Sequence, residues 1–171
     1  RALGERYTFT QPIKELKTRD LAEVADLLAQ VESYQEQGYY VVGYVSYEAA
    51  PAFEEKLAVH KAPLLDEYLL YFTVHDRVET SPIPLTYDEV DLPSNWQEVT
   101  SAVDYEKAIA QIHHNLRQGD TYQVNYTVQL SQELKADPLA IYNRLVVEQR
   151  AHYNAFIQHD DVSILSISPE L

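Results

Sequence analysis

Two amide side chains lie close together in a regularly patterned stretch of chain, and they are the first candidates for chemistry. Gln123 and Asn125 occur within residues 121–130, where polar and apolar residues alternate. Successive side chains of a β-strand point to opposite faces, so the alternation predicts a strand with both amides on its polar face. That face is either solvated, as in many antiparallel sheets, or part of a site or buried amide network.

The histidines do not have the spacing of a metal site. His113 and His114 are adjacent, so on a helix their side chains would diverge by about 100°. His152 and His159 have no pattern of carboxylates between them. A metal site needs three or four ligands that converge on one ion. These histidines are therefore interpreted as surface or partly buried side chains.

Other catalytic patterns are missing from the sequence. There is no cysteine, which excludes disulfides, thiol nucleophiles and Cys-based metal sites. No Gly-x-Ser-x-Gly turn or glycine-rich phosphate loop occurs among the four glycines. The paired acids Glu54-Glu55 and Asp160-Asp161 are typical of solvated turns. The residues alone therefore assign no reaction.

The charge of the chain excludes some classes of partner. It carries 27 acidic and 13 basic residues, for a formal net charge of −14. Such a chain repels nucleic acid and anionic membrane surfaces. No apolar run approaches the roughly 18 residues of a membrane-spanning helix, and no secretion signal opens the chain. We expect a soluble, cytoplasmic protein.

Helical spacing of apolar residues predicts three helices that would position these residues. The first runs from Thr18 to Gln37, and the third opens at Asp137-Pro138 and ends near Arg150. The second begins at Ser101, whose spacing to Asp104 is typical of a capping box, and ends at Gly119. Its apolar stripe is expected to pack over the apolar face of the strand at 121–130.

Strands alternate with these helices. They are predicted at residues 39–47, 67–75, 121–130, 153–158 and 162–167. The first two should be neighbours in one sheet, and Gly43 indicates a close backbone approach or a bulge. Residues 76–100, punctuated by three prolines, are predicted to connect two regions. The predicted class is α+β, with mainly antiparallel sheets and flanking helices.

Both ends of the sequence indicate a piece of a longer protein. The chain begins at Arg1 without a methionine. It ends at Leu171, directly after the predicted strand at 162–167, which should have partners on both sides. We expect an N-terminal fragment.

Three motifs resemble one family of enzymes. The segment Gly119–Asn125 (GDTYQVN) resembles the G-D-x-Y-Q-V-N motif of aminodeoxychorismate synthase component I, also called para-aminobenzoate synthase component I. Leu165–Leu171 (LSISPEL) is similar to its S-x-S-P-E motif, and Gly43–Phe53 (GYVSYEAAPAF) to its G-x-x-S-Y-E-A-A-P-A-F stretch. This group belongs to the anthranilate synthase family of chorismate-binding enzymes.

The resemblance implies a fold and a reaction. It implies part of a chorismate-binding fold of the anthranilate synthase component I type. Residues 1–95 would be the N-terminal region, and residues 101–171 would begin the catalytic region. The whole enzyme would convert chorismate and ammonia to 4-amino-4-deoxychorismate with Mg²⁺, using ammonia from a glutamine amidotransferase subunit. In the family the metal ligands, chorismate-binding residues and catalytic lysine follow S-P-E, so this fragment is expected to be inactive.

The resemblance also suggests site residues within this chain. Relatives form an amino-acid pocket from a Pro-aromatic-small triplet, and the matching positions here are His152, Tyr153 and Asn154. His152 thus replaces the proline, and the residues of a second wall of the pocket should precede Arg1. Both departures count against tryptophan binding. Because the family places the 121–130 strand in its core region, we expect Asn125 to join a buried amide network. The motif residues with a possible structural or site role are Gln123, Asn125, Ser168, Pro169 and Glu170.

Two alternatives stay open at this point. Anthranilate synthase component I shares the fold and the substrate, although the motifs at 47–51 and 123–125 favour the folate branch. A module of another class would be non-catalytic and would bind an amino acid or a partner subunit. A stop codon soon after residue 171 would favour that module, and a much longer open frame would favour the enzyme.

Overall fold

The computed structural model describes residues 4–59, 68–92, 94–151 and 153–168. The chain divides into two compact units. Unit 1 comprises Arg1–Leu85 together with Ile157–Val162, and unit 2 comprises Thr86–Phe156 together with Ser163–Leu171. The described residues form mixed helices and small antiparallel sheets, which confirms the predicted α+β class.

A three-stranded antiparallel sheet is the framework of unit 1. Its strands are β2 (Lys14–Thr18), β3 (Tyr40–Val45) and β4 (Leu70–His75), in the order β2-β4-β3. Strand β4 lies in the centre, so both of its edges are paired and most of its residues are buried. The prediction that β3 and β4 are neighbours is confirmed, although the predicted start of β4 at Glu67 lies outside the described residues.

Helix α1 (Val24–Glu36) covers this sheet. The buried residues Val24 and Val31 lie two turns apart on one face of the helix. Val31 packs in a cluster with Leu16 and Val74, and Val24 packs in a second cluster with Ala49 and Leu70. Burial of each large aliphatic side chain contributes about 1.5–3 kcal/mol. The predicted first helix is thus confirmed, with residues 21–23 forming a 3-10 turn before it.

The sequence pattern did not predict one strand pair of unit 1. Strands β1 (Glu5–Thr8) and β5 (Glu79–Pro82) pair with each other in antiparallel register. All four residues of β5 are exposed, and those of β1 alternate between exposed and half-buried. Such short strands have no continuous buried face, so hydrophobic alternation cannot reveal them.

The two helices in the described part of unit 2 begin as predicted. Helix α2 (Ala102–Gln118) is capped by Ser101, whose Oγ accepts a hydrogen bond from the Asp104 backbone N–H at 3.1 Å. Gly119 ends it with a φ of 80°, a left-handed conformation that favours glycine. Helix α3 (Pro138–Gln149) is capped by the Asp137 carboxylate. Both predicted caps are confirmed.

The predicted strand at residues 121–130 is wrong. Strand pairing begins only at β7 (Leu130–Ser131). Its two residues pair in antiparallel register with the two residues of β6 (Gln97–Glu98). Residues 122–130 are all exposed, and Tyr122 is 94% exposed. A strand needs a neighbouring ladder, and the described part of the chain supplies one only at its end. The apolar stripe of helix α2 was expected to pack over this strand, but none of its residues is buried. One contact between the two segments is that of the Tyr105 ring with the Tyr126 ring.

The two strands predicted near the end of the chain are confirmed. Strand β8 (Tyr153–His159) and strand β9 (Val162–Ser168) form a two-stranded sheet. A tight turn at Asp160-Asp161 joins them, and Asp160 has a φ of 46°, which aspartate tolerates better than most residues.

Among the helices in the described ranges, none is long and apolar enough to cross a membrane.

Candidate functional site

A group of interacting titratable side chains in the described part of unit 1 surrounds His159, at the end of β8. The residue is only 8% exposed. Its ring lies against three tyrosines, with the ring centroid 4.3 Å from that of Tyr71, 5.5 Å from that of Tyr68 and 5.8 Å from that of Tyr44. The prediction of a surface or partly buried histidine is therefore wrong at this position. We call these four residues the tyrosine–histidine cluster.

The imidazole makes one strong hydrogen bond and leaves one nitrogen unpaired. His159 Nε2 lies 3.0 Å from the Tyr44 hydroxyl oxygen. His159 Nδ1 is buried without a hydrogen-bond partner, and it lies 3.7 Å from a carboxylate oxygen of Asp160. A buried polar group without a partner costs about 1–3 kcal/mol. The close ring packing and the Tyr44 bond must therefore hold the histidine in place.

A second chain of polar contacts begins at Tyr71. Its hydroxyl donates a hydrogen bond to Glu15 Oε1 at 3.2 Å, and Lys17 Nζ donates to Glu15 Oε2 at 2.7 Å. Burial, together with the neighbouring Glu15 carboxylate, raises the pKa of Tyr71 to about 12. The hydrogen bond from Lys17 lowers the pKa of Glu15, and the same bond raises the pKa of Lys17.

These contacts favour a structural role for the cluster. A phenol with a pKa near 12 keeps its proton at neutral pH, so Tyr71 donates a hydrogen bond and does not act as a base. The His159 ring is enclosed by aromatic faces and lacks the access that a substrate would need. The cluster therefore fixes the turn of the β8–β9 hairpin to the sheet of unit 1.

These residues could not be predicted from the sequence because their pairing is non-local. Tyr44 and His159 are separated by 115 positions, and Glu15 and Tyr71 by 56. The abundance of tyrosine in strands β3 and β4 was the available signal, but composition does not identify a partner. Only the β2-β4-β3 strand order and the placement of the hairpin turn bring the side chains together.

The open end of the hairpin brings together candidate site residues that the family resemblance suggests. Strands β8 and β9 each contain seven residues and are joined by a tight turn, so Tyr153 and Ser168 lie at the same end. Asn154 Nδ2 donates a hydrogen bond to the Ala151 carbonyl at 2.8 Å, while Asn154 Oδ1 is buried without a partner. Tyr153 is half-exposed. Three further candidates lie outside the described residues: His152, Pro169 and Glu170.

The two amides of the GDTYQVN motif interact with each other at the surface. Gln123 Nε2 donates a hydrogen bond to Asn125 Oδ1 at 3.4 Å, and both residues are exposed. The expectation that Asn125 belongs to a buried network is therefore wrong for this structure. The reason is the missing strand, since an unpaired segment has no face to bury.

Comparison with known families identifies the chain. The family model described as chorismate binding enzyme matches residues 2–171. The chain belongs to the chorismate binding enzyme family. Its mixed helices and small antiparallel sheets are part of the fold of that family, as the three motifs implied.

Relatives of this chain share one name. It is 33% identical over 92 residues to aminodeoxychorismate synthase component 1 of Klebsiella aerogenes, which covers 54% of this chain and 20% of the relative. The protein of the same name from Salmonella typhimurium is 34% identical over 46% of this chain and 17% of the relative. The one from Bacillus subtilis is 33% identical over 39% of this chain and 14% of the relative. The match thus spans a fifth or less of these proteins. No solved structure matches the chain.

The part of the chain that the structure describes contains no cluster of three ligands for the Mg²⁺ that the resemblance implies. Among residues 4–59, 68–92, 94–151 and 153–168, no three His, Asp or Glu side chains are grouped so that they could hold a metal ion. A hard cation such as Mg²⁺ takes oxygen ligands in near-octahedral geometry, usually one or two carboxylates together with waters and substrate oxygens. No step of a reaction is therefore assigned to these residues through a metal.

Proposed function

We propose that the whole protein containing this chain is component I of an aminodeoxychorismate synthase. It would replace the 4-hydroxyl group of chorismate with an amino group, giving 4-amino-4-deoxychorismate for para-aminobenzoate and folate synthesis. The observation that carries this proposal is the combination of the family match over residues 2–171 with relatives that share this name. The GDTYQVN and S-x-S-P-E motifs support it.

Within that enzyme, residues 1–95 would form the N-terminal region and residues 101–171 would begin the chorismate-binding catalytic region. The chain's own contribution is architectural: the tyrosine–histidine cluster anchors the hairpin turn. The groups that hold Mg²⁺ and react with chorismate would come from other parts of the protein. A glutamine amidotransferase subunit would supply ammonia, and the enzyme would work in the cytoplasm.

Growth complementation tests the proposed reaction against its nearest alternative. The whole gene is expressed in a bacterial host that lacks aminodeoxychorismate synthase component I, and in a second host that lacks anthranilate synthase component I. We expect growth without para-aminobenzoate in the first host and no growth without tryptophan in the second. The reverse pattern would assign the protein to the tryptophan branch.

We also propose that the open end of the β8–β9 hairpin forms one wall of an amino-acid pocket, with His152, Tyr153 and Asn154. The supporting observation is the buried Oδ1 atom of Asn154, an acceptor without a partner that an ammonium group could satisfy. Thermal-shift measurements on the whole protein with each amino acid test this proposal. We expect at least one to stabilise the parent but not the Asn154→Ala variant, whereas no shift with any of them would contradict the pocket.

A further inference from the structure

A short 3-10 helical segment, Tyr47–Ala52, has one edge fixed in the core of unit 1. With three residues per turn, positions 46, 49 and 52 lie on the same edge. Ala49 is fully buried in the cluster with Val24 and Leu70, and Ala52 packs against that cluster. The hydroxyl oxygen of Ser46 is buried as well. This edge anchors the segment.

Another edge of the same segment presents aromatic rings to solvent. Tyr47 and Phe53 are two full turns apart, and they are 83% and 59% exposed. The backbone around them is held by hydrogen bonds from Phe53 N–H to the Ala50 carbonyl at 3.1 Å and from Leu57 N–H to the Glu54 carbonyl at 2.9 Å. Leu57 is also exposed. Single exposed apolar residues are ordinary, but two exposed aromatic residues spaced by two turns on an anchored backbone form a preorganised apolar edge.

Carboxylates flank this apolar edge. Glu48 and Glu54 occupy the third edge of the segment, and Glu55 follows, against a single cation at Lys56. The 3-10 turn Leu21–Glu23 packs against the segment and adds one further acid, Glu23. We call Tyr47, Phe53 and Leu57, with the acids Glu48, Glu54 and Glu55, the aromatic–acidic surface. Its charge has the sign of the whole chain, whose net charge is −14.

We propose that the aromatic–acidic surface docks a partner protein through an apolar pocket ringed by lysine and arginine, and that this partner is the glutamine amidotransferase subunit. The inference rests on the proposed function for the identity of the partner. Tyrosine is enriched among the residues that dominate binding at protein interfaces, and flanking charges of opposite sign accelerate association. The acids would repel nucleic acid and anionic lipid, so a basic protein face is the complementary occupant.

The test compares affinity with two activities of the whole protein. The dissociation constant for the amidotransferase subunit is measured by calorimetry for the parent and for the Tyr47→Ser/Phe53→Ser double variant. We expect binding to weaken about tenfold or more, as for loss of interface anchor residues. Glutamine-dependent synthesis should fall in parallel when the partner is subsaturating, while ammonia-dependent synthesis should not change. Leu85→Ser is the control, because Leu85 is 67% exposed and belongs to unit 1 but lies outside the aromatic–acidic surface.

A charge variant tests the second half of the proposal. Glu54→Lys should slow association with the subunit, and the difference from the parent should shrink as salt rises, because salt screens exposed charges. An effect on dissociation alone, unchanged by salt, would contradict the role of the acids.

Other outcomes would overturn the proposal in distinguishable ways. An unchanged affinity of the double variant would show that the subunit binds elsewhere. Loss of ammonia-dependent synthesis would show that the whole protein itself covers this edge. If sedimentation shows that the parent is a dimer and the double variant a monomer, a second copy of the protein is the occupant. If instead the parent makes no product with ammonia, the proposed function fails, whereas a measured loss of affinity would still support the docking surface.

Discussion

His159 Nε2 lies 3.0 Å from the hydroxyl oxygen of Tyr44, although 115 positions separate the two residues in the sequence. The contact holds the turn of the β8–β9 hairpin against strand β3 within unit 1. Because the His159 ring is also packed against Tyr71 and Tyr68, the turn is fixed by aromatic packing as well as by a hydrogen bond. The stability of unit 1 should therefore depend on residues that are distant in sequence.

Removal of the Tyr44 hydroxyl should destabilise the protein measurably. In Tyr44→Phe the buried Nε2 atom of His159 loses its partner, so we expect a loss of about 1–3 kcal/mol in the free energy of unfolding. Urea unfolding of the variant and the parent measures it. Tyr7→Phe is the control, since it removes an exposed hydroxyl bonded to Glu5 and should cost less than about 0.5 kcal/mol. Equal effects of the two variants would contradict the account of the cluster.

The Tyr71 phenol should make the stability fall at alkaline pH. Its pKa of about 12 in the folded protein lies above the ordinary value of 10.0, so the folded state holds the proton more tightly than the unfolded chain. This contribution is fully present below pH 10 and is lost as pH rises toward 12. We expect Tyr71→Phe to show a shallower decrease of unfolding free energy over this range. The same slope in variant and parent would show that Tyr71 ionises normally.

Gly43 should tolerate no side chain. A Cβ atom at this position would lie 2.6 Å from Phe72 Cα and still closer to the Tyr71 carbonyl oxygen, so strands β3 and β4 would have to separate. We expect Gly43→Ala to cost about 3 kcal/mol or more in thermal or urea unfolding. Gly38→Ala is the comparison, because that site is open and only its φ of +88° opposes alanine, at about 1–2 kcal/mol. A smaller cost at Gly43 than at Gly38 would contradict the strand register.

Local signals predicted much of this fold. The Ser101 and Asp137 caps and the Gly119 stop depend on neighbouring residues alone, and each is found where it was predicted. The close backbone approach inferred at Gly43 is confirmed. The prediction of a strand at 121–130 was wrong because alternation of polar and apolar residues shows only that a segment could form a strand. Strand pairing also requires a neighbouring strand, which no local pattern reveals. The candidate residues at the hairpin's open end came from family resemblance. The tyrosine–histidine cluster could not be predicted, since all the contacts that its tyrosines make with His159 are long-range.

The GDTYQVN segment offers a test of that failure. Val124 and Asn125 are exposed and no ladder holds them. We therefore expect Val124→Ala and Asn125→Ala to change the unfolding free energy of the 171-residue chain by less than about 0.5 kcal/mol each. Denaturant unfolding of both variants beside the parent measures this. A loss of about 1–3 kcal/mol for either would indicate that the segment is paired and buried after all.

The product formed from chorismate tests the central proposal most directly. The whole protein is purified and incubated with chorismate, ammonia and Mg²⁺, and the products are separated by chromatography and identified by mass. The account predicts 4-amino-4-deoxychorismate, none of it when ammonia is omitted, and none from the 171-residue chain alone. Anthranilate as the product, or no ammonia-dependent product from folded whole protein, would contradict it.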